Sequence, residues 1–99
     1  YLDCSGTVSI GDDVSIAHDC SIISFNHTYC DDTTPIRSQQ LKYGVIKIDK
    51  NCWLGCKVIL LADVTISERS IVAAGAVVTK SMPPGVICGG NPAKIIKTI

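Results

Sequence analysis

The chain has 99 residues, of which 46% are hydrophobic, and its formal net charge is zero. This length suffices for one domain with one core, and the balanced charge argues against nucleic acid as the main partner. The longest uncharged apolar stretch, residues 70–79, is far shorter than the roughly 18–20 residues that span a bilayer. We therefore expect no membrane span, and in the absence of a leader-like segment we expect a cytoplasmic protein.

The hydrophobic residues are mostly β-branched. Isoleucine (14) and valine (9) supply half of them, whereas aromatic residues make up 5% of the chain. Stiff β-branched side chains favour strands and are poor in helices. The composition therefore predicts an all-β protein.

A six-residue repeat runs through the chain. Two apolar residues that lie two apart face one side of a short strand, whereas a helix would scatter positions six apart around its surface. Three such hexads close one triangular coil, and coils stack as a solenoid; the alternative is a small sandwich with accidental spacing. A smaller series beginning at Val8 precedes the main series by two residues, and the main series is Ile10, Ile16, Ile22, Ile48, Leu54, Leu60, Ile66, Val72 and Val78.

A polar insertion separates two phases of this repeat. The step from Ile22 to Ile48 is not a multiple of six. Residues 24–44 between them are polar, include a proline and carry His27. Because long loops ejected from a regular core are commonly functional, we expect a functional loop here.

The C-terminal residues 83–99 are predicted to form a tail. Two prolines and Gly85 stop the hexads after Val78, residues 89–92 predict a turn, and residues 94–99 could cap the last coil. At the other end Tyr1 begins almost in phase with the ladder, so we expect that upstream coils are absent from this chain. The domain is therefore expected to span residues 1–99.

The six cysteines are interpreted as reduced, small apolar residues. They make up about 6% of the chain, below the roughly 8–10% of disulfide scaffolds, and several occupy repeat positions. Cys52 and Cys56 form one C-x3-C pair with no second pair beside it. No metal site is predicted.

Several segments together resemble the hexapeptide-repeat acyltransferases, among them the maltose, galactoside and lipopolysaccharide-sugar O-acetyltransferases. Beside the hexads these are NH-x7-PI-x2-Q from Asn26 to Gln39, CWLG at 52–55, AGAVVTK at 74–80 and GNPAK at 90–94. The resemblance implies a single-stranded left-handed parallel β-helix, although parallel crossovers are generally right-handed. It also implies a homotrimer with active sites between subunits, and transfer of acetyl from acetyl-coenzyme A to a hydroxyl of a sugar or similar small acceptor.

His27 is the candidate general base, because the hydroxyl must lose a proton and a neutral imidazole can accept it. The resemblance assigns this role to the histidine of the loop. It also implies that Asn26 and Asp3, the latter as a remnant of the acceptor pocket, bind the acceptor. His18 is interpreted as an exposed turn residue. A second route would use Cys30 as an acyl carrier activated by His27.

Coenzyme A needs a groove for its pantetheine arm and cations for its phosphates. Small residues on a coil edge allow a ligand to approach the backbone, which favours Ala74 and Gly75. The resemblance implies that the cofactor touches one edge of the solenoid at Ala74, Thr79 and Lys80, with its phosphates near Lys94 and Lys97.

Strand alternation turns Trp53 outward, between inward Cys52 and Leu54. The resemblance implies that its indole walls the acetyl channel beside the histidine. Cys56 is a further expected cofactor contact, although relatives often have a small hydroxyl residue there.

Two other functional classes stay open. A metal-dependent β-helix enzyme such as a γ-type carbonic anhydrase would need three histidine ligands, whereas this chain has two histidines. A catalytically silent coenzyme-A-binding fragment or a structural β-helix remnant would keep the groove without an acceptor pocket.

Overall fold

The computed structural model describes all 99 residues, and almost all of its regular structure is β-strand. A 3₁₀ turn at Ile36–Ser38 is the one helical element, and no helix has the length and apolarity to cross a bilayer. The strands are β1 (Leu2–Asp3), β2 (Thr7–Ile10), β3 (Ser15–Ile16), β4 (Ser21–Ile23), β5 (Phe25–His27), β6 (Leu41–Tyr43), β7 (Val45–Ile48), β8 (Trp53–Leu54), β9 (Ile59–Leu60), β10 (Thr65–Ile66), β11 (Ile71–Val72), β12 (Val77–Val78), β13 (Val86–Gly90) and β14 (Ala93–Thr98).

Three parallel sheets form the faces of a prism. Face A contains β1, β4, β9 and β12, face B contains β2, β7 and β10, and face C contains β3, β8, β11 and β13. The chain visits faces A, B and C in turn, so each circuit is one coil. Leu54 pairs with Val72 on face C and Leu60 pairs with Val78 on face A, and each pair is separated by three hexads of sequence. The predicted parallel β-helix is confirmed.

The repeat fills the interior of the prism. On face C, for example, Ile16, Leu54, Val72 and Cys88 stack in register from coil to coil. The second series is buried from Cys20 onward. The buried members of the main series are Ile22, Ile48, Leu54, Leu60, Ile66, Val72 and Val78.

The first coil departs from the prediction that all nine main positions lie in the core. Ile10 and Ile16 keep the expected register with Ile48 and Leu54, yet they are 44% and 40% exposed. The physical reason is that β1, β2 and β3 are the outermost parallel strands of their sheets, so no coil covers this end. Burial in a solenoid needs a neighbour on both sides.

At the corners of the prism, single residues adopt the left-handed backbone conformation with positive φ, which the hydrophobic pattern did not predict. Residues with positive φ recur at the hexad spacing, directly before the second apolar series: Asp13, Asp19, Asn51, Lys57, Asp63, Arg69 and Gly75. Four of their backbone amides, those of Asn51, Lys57, Arg69 and Gly75, donate to the preceding coil. For example, Lys57 N–H donates to His18 O (3.1 Å) and Gly75 N–H to Cys56 O (2.9 Å). Lysine and arginine at two of these corners obscure the signal, since Gly, Asn and Asp are the usual residues there.

The C-terminal segment continues the solenoid further than predicted. The hexads stop after Val78, but Met82 bridges to Ile66 on face B and β13 pairs with β11 on face C, which completes a fourth coil. The step from Ile66 to Met82 is shorter than three hexads, so the strand pairing persists although the six-residue spacing is lost. β14 then folds back antiparallel on β13.

All six cysteines are free thiols, as predicted. Cys20, Cys52 and Cys88 are buried, and burial raises the pKa of the Cys52 and Cys88 thiols.

Candidate functional site

The predicted loop leaves the prism at the corner between faces A and B, the A–B corner. Its two ends meet where Gly44 N–H donates to Ser24 O (2.8 Å) and Thr7 N–H donates to Gly44 O (3.0 Å). A side chain at Gly6 would overlap the carbonyl oxygens of Ser24 and Gly44. The loop is therefore anchored to the first coil through a position that only glycine can occupy.

Inside the loop, β5 and β6 form a two-stranded antiparallel ribbon that places the candidate base. Asn26 lies opposite Lys42 and His27 lies opposite Leu41. The sequence predicted only a loop here, because strands of three residues are too short to establish a period of two. The ring of Phe25 meets the His27 ring edge-to-face, with centroids 5.8 Å apart.

The far end of the loop is closed by a hydrogen-bonded turn. The Asp31 carboxylate accepts from Thr33 N–H (2.9 Å) and from the hydroxyls of Thr33 (2.6 Å) and Thr34 (2.7 Å). These bonds lower the pKa of Asp31 to about 2, with the Thr33 hydroxyl as the largest cause. The Gln39 amide donates to Asp31 O (2.7 Å) and Thr34 O (2.8 Å). The glutamine of the NH-x7-PI-x2-Q motif thus holds the turn.

His27 borders an open cavity of about 500 Å³, here named the His27 cavity. It is exposed, and its side chain forms no hydrogen bond within the chain. The structure brings it together with the predicted Asn26 and with Cys30 of the alternative route, but no hydrogen bond joins His27 to Cys30. The lining residues are Asn26, His27, Thr28, Tyr29, Cys30 and Lys42.

Asp3, on β1, lies beside Ser24 at the base of the loop, where the two ends of the loop meet. This region is called the loop neck below, and Asp3 does not line the His27 cavity. Its carboxylate accepts from Ser5 N–H (2.9 Å), and the hydroxyls of Ser5 and Ser24 each lie 3.2 Å from it. The backbone hydrogen bond from Ser5 is the largest cause that lowers the pKa of Asp3. Within one chain, these contacts stabilise the turn that follows β1.

A second, apolar groove of about 340 Å³ follows the corner between faces C and A, the C–A corner. Trp53 points outward as predicted and is 54% exposed. The structure brings Trp53 together with two other predicted cofactor residues, Cys56 and Ala74, and with His18, which is exposed as expected. This groove is called the Trp53 groove below.

Two glycines beside the Trp53 groove have different roles. A Cβ on Gly55 would lie 2.7 Å from Ala74 N, so Gly55 allows two coils to approach closely at the groove. Gly75, which was predicted to give a ligand access, has a φ of +75° and open space around it. Its backbone conformation accounts for the glycine. Gly55 was not predicted as a site residue. The signal that could have identified it is a small residue directly after the inward-facing Leu54.

The remaining predicted cofactor residues do not lie on one edge of the chain. Ala74 follows β11 at the C–A corner, whereas Thr79 and Lys80 follow β12 at the A–B corner. Within one chain these residues therefore lie at two corners, which the strand on face A separates, and the expected contact along one edge stays a prediction. Lys94 and Lys97 are exposed on β14, opposite Gly89 and Ile87.

One chain does not bring His27 and Trp53 together. The loop leaves at the A–B corner and the Trp53 groove follows the C–A corner, and no residue lines both cavities. No group of three or more His, Cys, Asp or Glu side chains is arranged to hold a metal ion.

Comparison with known proteins identifies a matching family model and relatives of this chain. Residues 46–80 match the family model for bacterial transferase hexapeptide (six repeats). The galactoside O-acetyltransferase of Escherichia coli K12 is 35% identical over 98 residues, which cover 94% of this chain and 45% of that protein.

Two solved structures superpose closely. A galactoside acetyltransferase in complex with coenzyme A gives a TM-score of 0.91 at 32% identity, covering 99% of this chain and 48% of the other. A maltose O-acetyltransferase from Clostridium difficile 630 gives 0.85 at 35% identity, covering 93% and 48%. The chain thus spans slightly less than half the length of these relatives. The resemblance to the hexapeptide-repeat acyltransferases is confirmed, and the chain has the left-handed parallel β-helix fold of these relatives.

Proposed function

We propose that the protein transfers acetyl from acetyl-coenzyme A to a hydroxyl of a sugar or a similar small acceptor. The observation that carries this proposal is the Trp53 groove, in a chain that superposes at a TM-score of 0.91 on a galactoside acetyltransferase in complex with coenzyme A. The other relatives that support it are named galactoside and maltose O-acetyltransferases.

The Trp53 groove suits the pantetheine arm and the acetyl group. Its walls are mostly apolar, and Trp53, Ile71, Ala73 and Ala74 are among the residues that line it. A narrow apolar groove excludes water from a thioester, which favours transfer over hydrolysis. Neither of the two ion pairs of the chain uses Lys80, Lys94 or Lys97. Their ammonium groups are free to bind the phosphates of the cofactor.

His27 acts as the general base in a direct transfer. Its imidazole accepts the proton as the acceptor oxygen attacks the thioester carbonyl, and a tetrahedral intermediate forms. The carbon–sulfur bond then breaks, and the coenzyme A thiolate takes up the proton that His27 held. The edge-to-face contact with Phe25 restrains the ring, while the absence of a side-chain hydrogen bond leaves a nitrogen available.

The complete site lies between two chains of a homotrimer. Because the His27 cavity and the Trp53 groove belong to different corners of one prism, we place the loop of one subunit over the groove of its neighbour. The same arrangement brings Thr79 and Lys80, at the A–B corner of one subunit, toward the cofactor bound along the C–A corner of the next. Exposed apolar residues at the base of the loop, Tyr43 (59%) and Val45 (53%), support burial of this region in an interface.

The test is a thioester-consumption screen across sugars, amino sugars and small alcohols, with His27→Ala as the variant. We expect transfer to at least one sugar and a loss of turnover of about 100-fold or more in His27→Ala, the usual contribution of a general base. Glu68→Gln, at an exposed position of another corner, is the matched control and should keep full turnover. Turnover of His27→Ala close to that of this control would remove His27 from the mechanism, and full loss in Cys30→Ser would favour the acyl-carrier route.

A catalytically silent coenzyme-A-binding fragment is the second candidate function. It is favoured by the neck position of Asp3, which is bonded to Ser5 and Ser24 and does not line the His27 cavity. Binding of coenzyme A in calorimetry, together with no acetyl transfer to any acceptor of the screen, would support this candidate against the first.

A further inference from the structure

The His27 cavity carries one fixed charge. Of its six lining residues only Lys42 is permanently charged at neutral pH, and no carboxylate lines the cavity. The two ion pairs of the chain, Lys47–Asp49 and Lys50–Glu68, do not include Lys42. Its exposed ammonium group therefore has no counter-ion within the chain.

Two acidic residues near the loop are committed elsewhere. The Asp31 carboxylate is held by the hydroxyls of Thr33 and Thr34. Asp63, close to the loop neck, accepts from Val45 N–H (3.1 Å). Neither of these residues, nor Asp32, the other carboxylate of the loop, lines the His27 cavity, so no carboxylate of this chain shares the cavity with Lys42.

The ribbon places this charge opposite Asn26. Lys42 lies directly opposite Asn26, the residue before His27. Directly opposed residues of an antiparallel pair have Cβ atoms about 4.5–5.5 Å apart on the same side of the ribbon. Asn26 and Lys42, both with hydrogen-bond donors, thus share one side of the ribbon. His27, whose ring meets that of Phe25, lies on the other side, and all three residues line the His27 cavity.

We propose that the His27 cavity selects acceptors that carry an anionic group, and that Lys42 recognises this group with Asn26 as its partner donor. The inference rests on the proposed acetyl transfer, which supplies the need for an acceptor at His27. A sugar that bears a carboxylate or a phosphate has both required parts, namely a hydroxyl to acetylate and a negative charge to be held. Its charge-assisted hydrogen bond to Lys42 is one that a neutral sugar cannot form.

The experiment is an NMR titration of the protein with three matched ligands: D-glucose, D-glucuronate and D-glucose 6-phosphate. We expect one or both anions to bind about five-fold more tightly than glucose, the gain typical of a partly solvated charge pair, and to shift the amide signals of residues 26–30. Lys42→Gln should remove the preference, so that the three ligands bind with similar affinity. The control Lys50→Gln removes a lysine from another corner and should keep the preference. The two anions separate carboxylate from phosphate recognition.

Equal affinity for the three ligands, no binding of either anion, or a preference that survives in Lys42→Gln would overturn the inference. Acetyl transfer, measured on the same samples, separates this result from the proposed function. Anion preference without any transfer contradicts the proposed function alone. Transfer to glucose without anion preference contradicts the role of Lys42 alone.

Discussion

At the scale of single residues, the glycines beside the Trp53 groove differ in what a side chain would meet. Gly75 has a left-handed backbone in open space, whereas Gly55 lies where a Cβ would approach Ala74 N to 2.7 Å. Strain in the first case comes from the backbone conformation, and asparagine relieves part of it. Strain in the second case comes from a collision between two coils.

Substitution of these glycines should separate the two causes. Gly75→Ala should lower the free energy of unfolding by about 1 kcal/mol, and Gly75→Asn by less. Gly55→Ala should lower it by about 2 kcal/mol, and Gly55→Asn should give no recovery. Urea unfolding followed by circular dichroism measures all four variants. The same loss in every variant would contradict the distinction.

The reactivity of the cysteines should follow their positions in the coils. Cys4 and Cys30 are exposed, Cys56 is partly buried, and the others lie in the core. Because the thiolate is the reactive form, burial and the raised pKa of Cys52 and Cys88 protect them. A disulfide reagent at pH 8 should modify Cys4 and Cys30 quickly and Cys56 more slowly. The core thiols should react only after unfolding, and rapid modification of Cys52 or Cys88 in the folded protein would contradict the structure.

The alternation of side chains allowed some residues to be placed from the sequence, but not others. The outward direction of Trp53 follows from inward Cys52 and Leu54, so a period of two was enough. The surroundings of Asp3 depend on Ser24, which is distant in sequence and comes close only when the coils stack. No local pattern carries that information.

At the scale of elements, the loop is held at its tip by Asp31 as well as at its neck. The folded-state pKa of Asp31, about 2, lies below the ordinary value of 3.8. Because the pKa is lower in the folded state, the ionised carboxylate stabilises the folded turn at every pH above the ordinary pKa. This contribution disappears as the pH falls through the folded-state pKa. The turn is therefore stabilised from neutral pH down to about pH 4 and loses this support between about pH 4 and pH 2.

The amide signals of Thr33 and Thr34 in NMR spectra should report this titration. We expect them to move with a midpoint near pH 2 and the turn to loosen as Asp31 is protonated. Asp31→Asn should abolish the dependence, whereas Asp32→Asn, at the neighbouring position, should keep it. A midpoint near 4 for Thr33 would show that the carboxylate is not held by these bonds.

The boundaries of the elements were predictable where the repeat is regular and not where it is interrupted. Residues 24–44 were assigned to a loop because the phase of the hexads changes across them. The ribbon of β5 and β6 was missed, since its pairing depends on a polar segment returning to the same corner. The fourth coil was missed because prolines interrupt the hexads there while Met82 still pairs with Ile66.

At the scale of the whole molecule, stability should be uneven along the prism. Leu60 is fully buried in the third coil, whereas Ile16 is 40% exposed at the uncovered end. Leu60→Ala should therefore lower the free energy of unfolding by about 3 kcal/mol, and Ile16→Ala by about 1 kcal/mol, because less buried area is lost and no closed cavity forms. Chemical denaturation of the two variants checks this. Equal losses would mean that the first coil is covered in solution.

The central claim is that one active site needs two chains, since the loop and the groove lie at different corners of one prism. The most direct measurement mixes two inactive variants, His27→Ala, which removes the base, and Ala74→Trp, which fills the Trp53 groove. After subunit exchange, sites that combine the intact loop of one chain with the intact groove of another should restore about a quarter of the wild-type turnover. A mixture that exchanges subunits yet stays as inactive as either variant alone would contradict the claim, because it would place His27 and the groove in the same chain.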